Sequence, residues 1–467
     1  MEKDITIIGG GPGGYTAAIR AAQLGANVAL IEAEDLGGTC LNRGCIPTKA
    51  LYRNAQMINE LKRASEFGIH LEGFTIDINE MMQRKQQIVD RLKAGVAQLI
   101  RANSIEFIVG KASLVSKDTV QVVGPQGSSC IINTKNIIIA TGSVPLKAQI
   151  EGINLPGIMT SDEILSGQSI PESLVIIGGG VIGVEFAGIF TALGAQVTIV
   201  EFLPRILANM DGEISRKLAL SLKKRGIHIE TDARVTQISK DNGSFHILTE
   251  GKGGISELCT DSVLISVGRM PNIEDLELER PGIEHDRKGI CVDKNFQTNI
   301  EGIYAVGDVT GGQMLAHVAA EEGIAAVEHI MGIKGHVNRD VVPACVFTFP
   351  EIAAVGLSEE EAREKEISYI SSKFLFGANG KALTLGEEEG FVKVLSDAST
   401  KQMIGVHIMG PHASDLIHEA VLAMEKNMTA DDIAKVIHAH PTLSEALMEA
   451  ASGIENQAIH MLPKRKI

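Results

Sequence analysis

Tryptophan is missing from all 467 residues, and aromatic residues make up only 4% of the chain. That scarcity argues against an aromatic-rich β-sandwich or a carbohydrate-stacking platform. Cysteine is sparse as well. Cys40, Cys45, Cys130, Cys259, Cys291 and Cys345 are too few and too scattered for the disulfide framework of a secreted chain. Basic charge is in deficit, with 43 Lys and Arg against 58 Asp and Glu and a net charge of -15. Such a chain repels phosphate backbones, so nucleic-acid binding is not expected. The start, MEKDITIIGG, lacks a basic segment followed by a long apolar one, so no signal peptide is expected. The apolar run 174–200 carries Glu185 in its middle and a glycine cluster near its start. A buried strand–turn–helix–strand explains it better than a membrane span, and no membrane association is expected.

What is present is ordinary globular material, 44% hydrophobic and 22% charged, with 49 glycines. The length suggests about three domains. An internal repeat organises them. Segment 6–32, TIIGGGPGGYTAAIRAAQLGANVALIE, returns at 175–201 as VIIGGGVIGVEFAGIFTALGAQVTIVE, without a gap and with 12 of 27 positions identical. Each copy reads as a buried strand, a glycine turn, an apolar helix and a second strand ending in Glu. The glycines are Gly9, Gly11 and Gly14, then Gly178, Gly180 and Gly183. The first of each set permits a tight turn, the second lets a pyrophosphate approach the backbone, and the third lets helix and strand pack closely. Free N–H groups at the helix start then favour the phosphates. Glu32 and Glu201 each follow 18 residues after the third glycine, where an acid bonds ribose hydroxyls. One GxGxxG alone is weak evidence. Two in full strand–helix context predict two dinucleotide sites. A carboxylate at Glu201 would repel a 2′-phosphate, and FLPRIL after it offers only Arg205 as counter-charge, so NAD is expected over NADP.

Between the repeats, 77–102 reads as a long amphipathic helix carrying Ile78, Met81, Met82, Ile88, Leu92, Val96 and Leu99. Residues 105–139 read as short strands around the turn GPQG. NIIIATGSVP and SVLISVGRMPN each read as a strand ending at a ligand loop, and GIYAVGDV as a strand ending in Asp308, either a ligand position or a helix cap. From about Val341 the pattern becomes an α+β domain suited to oligomerisation.

GGTCLNRGCIPTKAL holds Cys40 and Cys45. The spacing is not CxxC and no second Cys/His cluster is near, so zinc is not expected there and no metal site is expected elsewhere. Two buried thiols are one reading. The other is a reactive redox pair, because the pair follows the first nucleotide unit and has glycines, Arg43 and Lys49 as neighbours. HAHPTLSE holds His440 and Glu445. A histidine suits the deprotonation of a dithiol, with a carboxylate fixing its tautomer. Thr442 and Glu445 also spell a capping box. His438 has no evident partner for a metal site.

These motifs together resemble the flavoprotein disulfide oxidoreductases, and CLNRGCIPTK with HAHPTLSE resembles their lipoamide-oxidising branch. The resemblance runs in order over essentially the whole chain. It implies an α/β fold with two Rossmann-like dinucleotide-binding domains and a C-terminal α+β dimerisation domain. The FAD-binding domain would occupy 1–147 and 270–340, split by an NAD-binding domain at 148–269, with 341–467 making a homodimer. It implies that Gly9, Gly11, Gly14 and Glu32 hold FAD, with Ala112 at the adenine, Gly142 and Asp308 beside the cofactor, and Lys49 and Ala316 near the flavin ring. Gly178, Gly180, Gly183, Glu201, Val235 and Gly268 would line the NAD site. Cys40, Cys45, His440 and Glu445 would be catalytic, His440 serving the neighbouring subunit's disulfide. The implied activity is oxidation of protein-bound dihydrolipoamide with reduction of NAD in the cytoplasm. A glutathione-reductase-like enzyme using NADPH and a redox-sensing flavoprotein without turnover are the alternatives. The implied partners are the lipoyl domain and core acyltransferase of a 2-oxo acid dehydrogenase-type complex, or the lipoyl carrier of the glycine cleavage system. No lipoyl or Ala/Pro-rich segment precedes Met1, so a lipoyl domain is expected on a partner.

Overall fold

A computed structural model describes residues 1–146, 148–335 and 337–462. Lys147, where the first expected nucleotide-binding segment ends, and the last five residues of the expected C-terminal domain lie outside the described residues.

The first repeat folds as expected into strand Glu2–Ile8, helix Pro12–Gln23 and strand Val28–Glu32. The two strands pair in parallel, joined by further parallel strands Glu106–Val109, Ser129–Ile139 and Ile303–Ala305. Thr119–Val123 and Lys111–Ser116 extend the sheet antiparallel, making seven strands. Ile303–Ala305 joins from far along the chain because the second sheet and smaller sheets are built in between.

The second repeat gives strand Ser173–Ile177, helix Val181–Leu193 and strand Gln196–Val200. With Ile158–Met159, His228–Glu230 and Ser262–Ile265 these strands form a fully parallel five-stranded sheet. Its strands read as unbroken apolar runs because helices cover one face and a separate antiparallel sheet the other. That sheet comprises Ala233–Asp241, Ser244–Gly251 and Gly254–Thr260. The chain is therefore α/β, with one parallel-sheet unit interrupted by another.

From Ala344 a five-stranded antiparallel sheet carries helices Ala413–Glu425 and Glu445–Ser452, forming the α+β region. No helix among the described residues is long and apolar enough to cross a membrane.

The long helix spans Ile78–Ala102 behind its N-cap Asp77, whose side chain accepts from the amides of Asn79 and Glu80. Its buried face differs from the sequence expectation. Val89 and Ile100 are buried while Leu92 and Leu99 are exposed, and Lys85 is buried with its ammonium donating to the Leu165 carbonyl at 2.7 Å. The helix packs against helices Pro12–Gln23, Gly38–Arg43 and Cys45–Lys62, and these neighbours set the stripe it buries.

A candidate dithiol active site between two nucleotide cradles

The two glycine turns are near copies. Gly9 and Gly178 have φ of 107° and 110°, and a Cβ on either would lie 2.3 or 2.5 Å from a backbone carbonyl oxygen of the neighbouring strand. A Cβ on Gly14 would come within 1.8 Å of the Gly9 oxygen, and one on Gly183 within 2.0 Å of the Gly178 oxygen. Only glycine lets each helix start pack this closely on its turn.

Glu32 accepts from the amides of Gly10 at 2.7 Å and Glu34 at 2.8 Å. Glu201 accepts from those of Gly179 at 2.5 Å and Leu203 at 2.7 Å. Each acid thus braces its own glycine turn, a task the sequence reading missed. Arg205 donates to the carbonyls of Ala208 and Met210 and sits 3.8 Å from Glu360, so its charge is already engaged.

Both turns open onto one cavity of about 2630 Å³. Ordinary ligand pockets hold roughly 300–1,000 Å³, so there is room for two extended cofactors. Gly9, Gly11, Glu32, Lys49, Ala112, Gly142, Asp308 and Ala316 line it, as do Gly178, Gly180, Glu201, Val235 and Gly268. Gly14 and Gly183 pack under the turns instead. The helices after Gly11 and Gly180 have no side chain capping their N-termini, which leaves amides free for an anion. A Cβ on Gly142, Gly180 or Gly268 would meet no protein atom within 4 Å. Bare backbone therefore faces space where a pyrophosphate would sit, and these residues fit two dinucleotides.

Asp308 lies in the short helix Gly307–Thr310, and it accepts from the Ser143 hydroxyl at 2.6 Å rather than capping. Arg269 donates to the same hydroxyl at 2.8 Å and to the Ser143 carbonyl at 2.7 Å. This chain ties the ends of NIIIATGSVP, SVLISVGRMPN and GIYAVGDV together. Ala316 begins helix Ala316–Ile330, whose N-terminus also lacks a side-chain cap.

Cys40 sits in the short helix Gly38–Arg43, and Cys45 is the first residue of helix Cys45–Lys62. Both are free thiols, joined by a hydrogen bond from Cys40 to Cys45. The two side chains thus lie within reach of each other. Their acidities are split. The Cys40 thiol is pushed far up, first by the proton it donates to Cys45 and then by burial. Cys45 is lowered to about 7 by that hydrogen bond and by the Lys49 ammonium, against the cost of its enclosed position. Cys45 is solvent-exposed only because it faces the cavity; protein encloses it elsewhere. Its place at a helix N-terminus favours thiolate further.

Lys49 is held by Glu185, at 3.1 and 2.9 Å to the two carboxylate oxygens, and lies 4.5 Å from the Phe347 ring centre. Glu185 is buried and also accepts from the Phe347 amide at 3.0 Å. The sequence reading treated Glu185 only as an argument against a membrane span. A charged residue inside an apolar helix was the signal of its role. Arg43, expected as a second positive neighbour of the thiols, turns away to pair with Glu34 and Asp162. Cys345 is a third thiol on the cavity wall, held protonated by burial, which pushes its pKa to about 11.

His440 Nδ1 lies 2.9 Å from Glu445 Oε1, while Glu445 Oε2 accepts from the Thr442 amide at 2.8 Å. One carboxylate thus touches both the histidine ring and the Thr442 amide, while helix Glu445–Ser452 starts behind Ser444 without a side-chain cap, so the capping box expected at Thr442 is not formed. Burial pushes the Glu445 carboxyl up, but the Thr442 amide and His440 outweigh that and hold it below the usual range. The His440 side chain is 77% exposed and does not line the chain's own cavity. His438, which seemed partnerless in sequence, pairs with Glu419 at 2.9 Å.

Residues 3–323 match the family described as pyridine nucleotide-disulphide oxidoreductase, and residues 342–451 match its dimerisation domain. The chain is 42% identical to a dihydrolipoyl dehydrogenase of Bacillus subtilis (strain 168), over 98% of this chain and 99% of that one. It is also 42% identical to the mitochondrial dihydrolipoyl dehydrogenase 2 of Arabidopsis thaliana, over 98% of this chain and 92% of the relative. Among solved structures, LpdA of Mycobacterium tuberculosis superposes with a TM-score of 0.91 at 27% identity, over 97% of this chain and 99% of that one. The Cu(II) complex of the HOCl-induced flavoprotein disulfide reductase of Escherichia coli gives 0.88 at 30% identity, over 97% and 99%.

Proposed function

The chain belongs to the pyridine nucleotide-disulphide oxidoreductase family, and from that premise we propose that it works as a dihydrolipoyl dehydrogenase. It oxidises protein-bound dihydrolipoamide to lipoamide and reduces NAD. The observation that carries the reading is the hydrogen-bonded Cys40–Cys45 pair on the wall of a cavity bordered by both glycine turns. Its cofactors are FAD and NAD, and they supply the two-electron link from thiol to hydride chemistry.

The chain's own residues supply the rest. Glu445 holds His440 by Nδ1, which leaves Nε2 to take a proton from a substrate thiol. The resulting thiolate attacks Cys40 Sγ in the oxidised protein, and the Cys40–Cys45 bond breaks. Cys45 leaves as a thiolate, which the Lys49 ammonium stabilises. The second substrate thiol then attacks the mixed disulfide, forms the lipoyl S–S bond and releases Cys40, which regains a proton. Substrate loses two electrons and the protein pair gains them. Because His440 lies outside its own chain's cavity, we assign it to the pair of the other subunit in a homodimer.

The remaining site assignments follow the sequence reading. Residues 1–147 and 270–340 bind FAD, 148–269 bind NAD, and 341–467 make the dimer. The occupied Arg205 and the turned-in Glu201 support NAD over NADP. The substrate is the lipoyl domain of a 2-oxo acid dehydrogenase-type complex, with its core acyltransferase as docking partner, or the lipoyl carrier of glycine cleavage. Few and scattered cysteines suit a reducing cytoplasm.

A steady-state assay of the holoenzyme tests the reading. Dihydrolipoamide with NAD should give NADH at many turnovers per second. Turnover of glutathione disulfide with NADPH, and none of lipoamide, would overturn it.

A further inference from the structure

Among the described residues, one group of three metal-ligating side chains is close-set, and it lies outside the cavity: His246, Glu257 and Cys259. It stands on the strands Ser244–Gly251 and Gly254–Thr260. His246 lies directly opposite Cys259 in the antiparallel register, and Glu257 is two residues from Cys259. Strand alternation sends Phe245 and Ile247 into the core and puts these three side chains together on the outer face. Sequence spacing could not show this, because cross-strand pairing alone brings His246 to the other two.

Two of the groups converge on a single atom. Glu257 Oε1 lies 2.7 Å from His246 Nδ1, and Cys259 Sγ lies 3.4 Å from the same nitrogen. All three donor atoms fall within 4.8 Å of one another. A catalytic Cys–His–acid relay would place thiol and acid on opposite ring nitrogens. Here both address Nδ1, and one ring proton cannot satisfy both. A cation between them satisfies all three.

Tetrahedral zinc, with bonds of about 2.0 Å to nitrogen and oxygen and about 2.3 Å to sulfur, sets neighbouring donors roughly 3.3–3.5 Å apart. The sulfur–nitrogen distance already fits. The nitrogen–oxygen distance must open by about half an ångström, which rotation of the exposed Glu257 side chain supplies. We propose that His246, Glu257 and Cys259 form a zinc site on the outer face of this sheet, with the fourth position open to solvent. Thiolate, imidazole and carboxylate together favour zinc over magnesium or calcium. Binding would release the Cys259 proton, cross-link an edge strand to its neighbour and withdraw an exposed thiol from oxidation. None of the three borders the cavity, so the site stands apart from turnover.

The test uses oxidised holoenzyme, in which a Cys40–Cys45 disulfide cannot chelate. After equilibration with zinc chloride and desalting, metal content is measured. Alkylation of Cys259 by iodoacetamide is followed by peptide mass spectrometry, with and without zinc. The expected result is one zinc per chain, with Cys259 alkylated about tenfold more slowly when zinc is present. Cys259→Ser and His246→Ala should each lose the zinc while lipoamide turnover stays unchanged. Zinc content in both variants equal to that of the unaltered chain, or equal alkylation rates with and without zinc, would overturn the proposal. The alkylation arm uses the unaltered chain, so misfolding of a variant cannot decide the outcome.

Discussion

Lys49 Nζ lies 2.9 Å from Glu185 Oε2, joining the helix that carries the dithiol to the helix of the second glycine unit, 136 residues away. The contact fixes a cation beside Cys45 by a carboxylate that has little other access to water. Lys49→Met should therefore strand a buried charge. We expect a loss of about 2 kcal/mol, less than for a fully buried pair because the ammonium is partly wet. The double variant Lys49→Met, Glu185→Gln should recover most of it. Urea unfolding of all three proteins checks this, and a double variant less stable than Lys49→Met would reject it.

The acidity split of the thiols predicts a pH signature. In the reduced holoenzyme Cys45 should be thiolate above a pH of about 7 and thiol below it. Cys40→Ala removes the stabilising proton and should move that midpoint upward. Titration of the long-wavelength absorbance of thiolate against flavin measures both proteins. An unchanged midpoint in the variant would place the stabilisation on Lys49 alone.

His440→Gln should keep FAD and lose 10²–10⁴-fold in lipoamide turnover, roughly the worth of a positioned base. NADH-driven reduction of an artificial dye needs no such base and should persist. Mixing His440→Gln with Cys45→Ser subunits should restore roughly a quarter of wild-type activity, because half the dimers would be mixed and each would hold one intact site. No recovery on mixing would assign His440 to its own subunit.

Gly183→Ala places a methyl group 2.0 Å from the Gly178 oxygen. NAD binding should weaken at least tenfold while the flavin stays bound. Titration with NAD, alongside the flavin absorbance, separates the two effects.

Much of this was legible in the sequence because the chemistry is local. The glycine units, the dithiol and the His440 motif each occupy one short stretch, and periodicity or spacing exposes them. What stayed hidden depends on distant pairing. Glu185 reaches Lys49 across the molecule, Arg43 turns to Asp162, and Asp308 meets Ser143 from 165 residues away. The long helix was found, but its buried stripe was misread at Leu92 and Leu99, because the neighbours it packs against set which residues are covered.

The pairing of Ile303–Ala305 with Ser129–Ile139 also orders events on the ribosome. The strand that completes the first sheet is made after the whole second sheet, whose strands fall between Ile158 and Ile265. The later-starting unit can therefore finish first, while the earlier one waits half-built with an apolar edge exposed. Nascent chains halted just before residue 303 should accordingly resist protease across the second unit and be cut within the first.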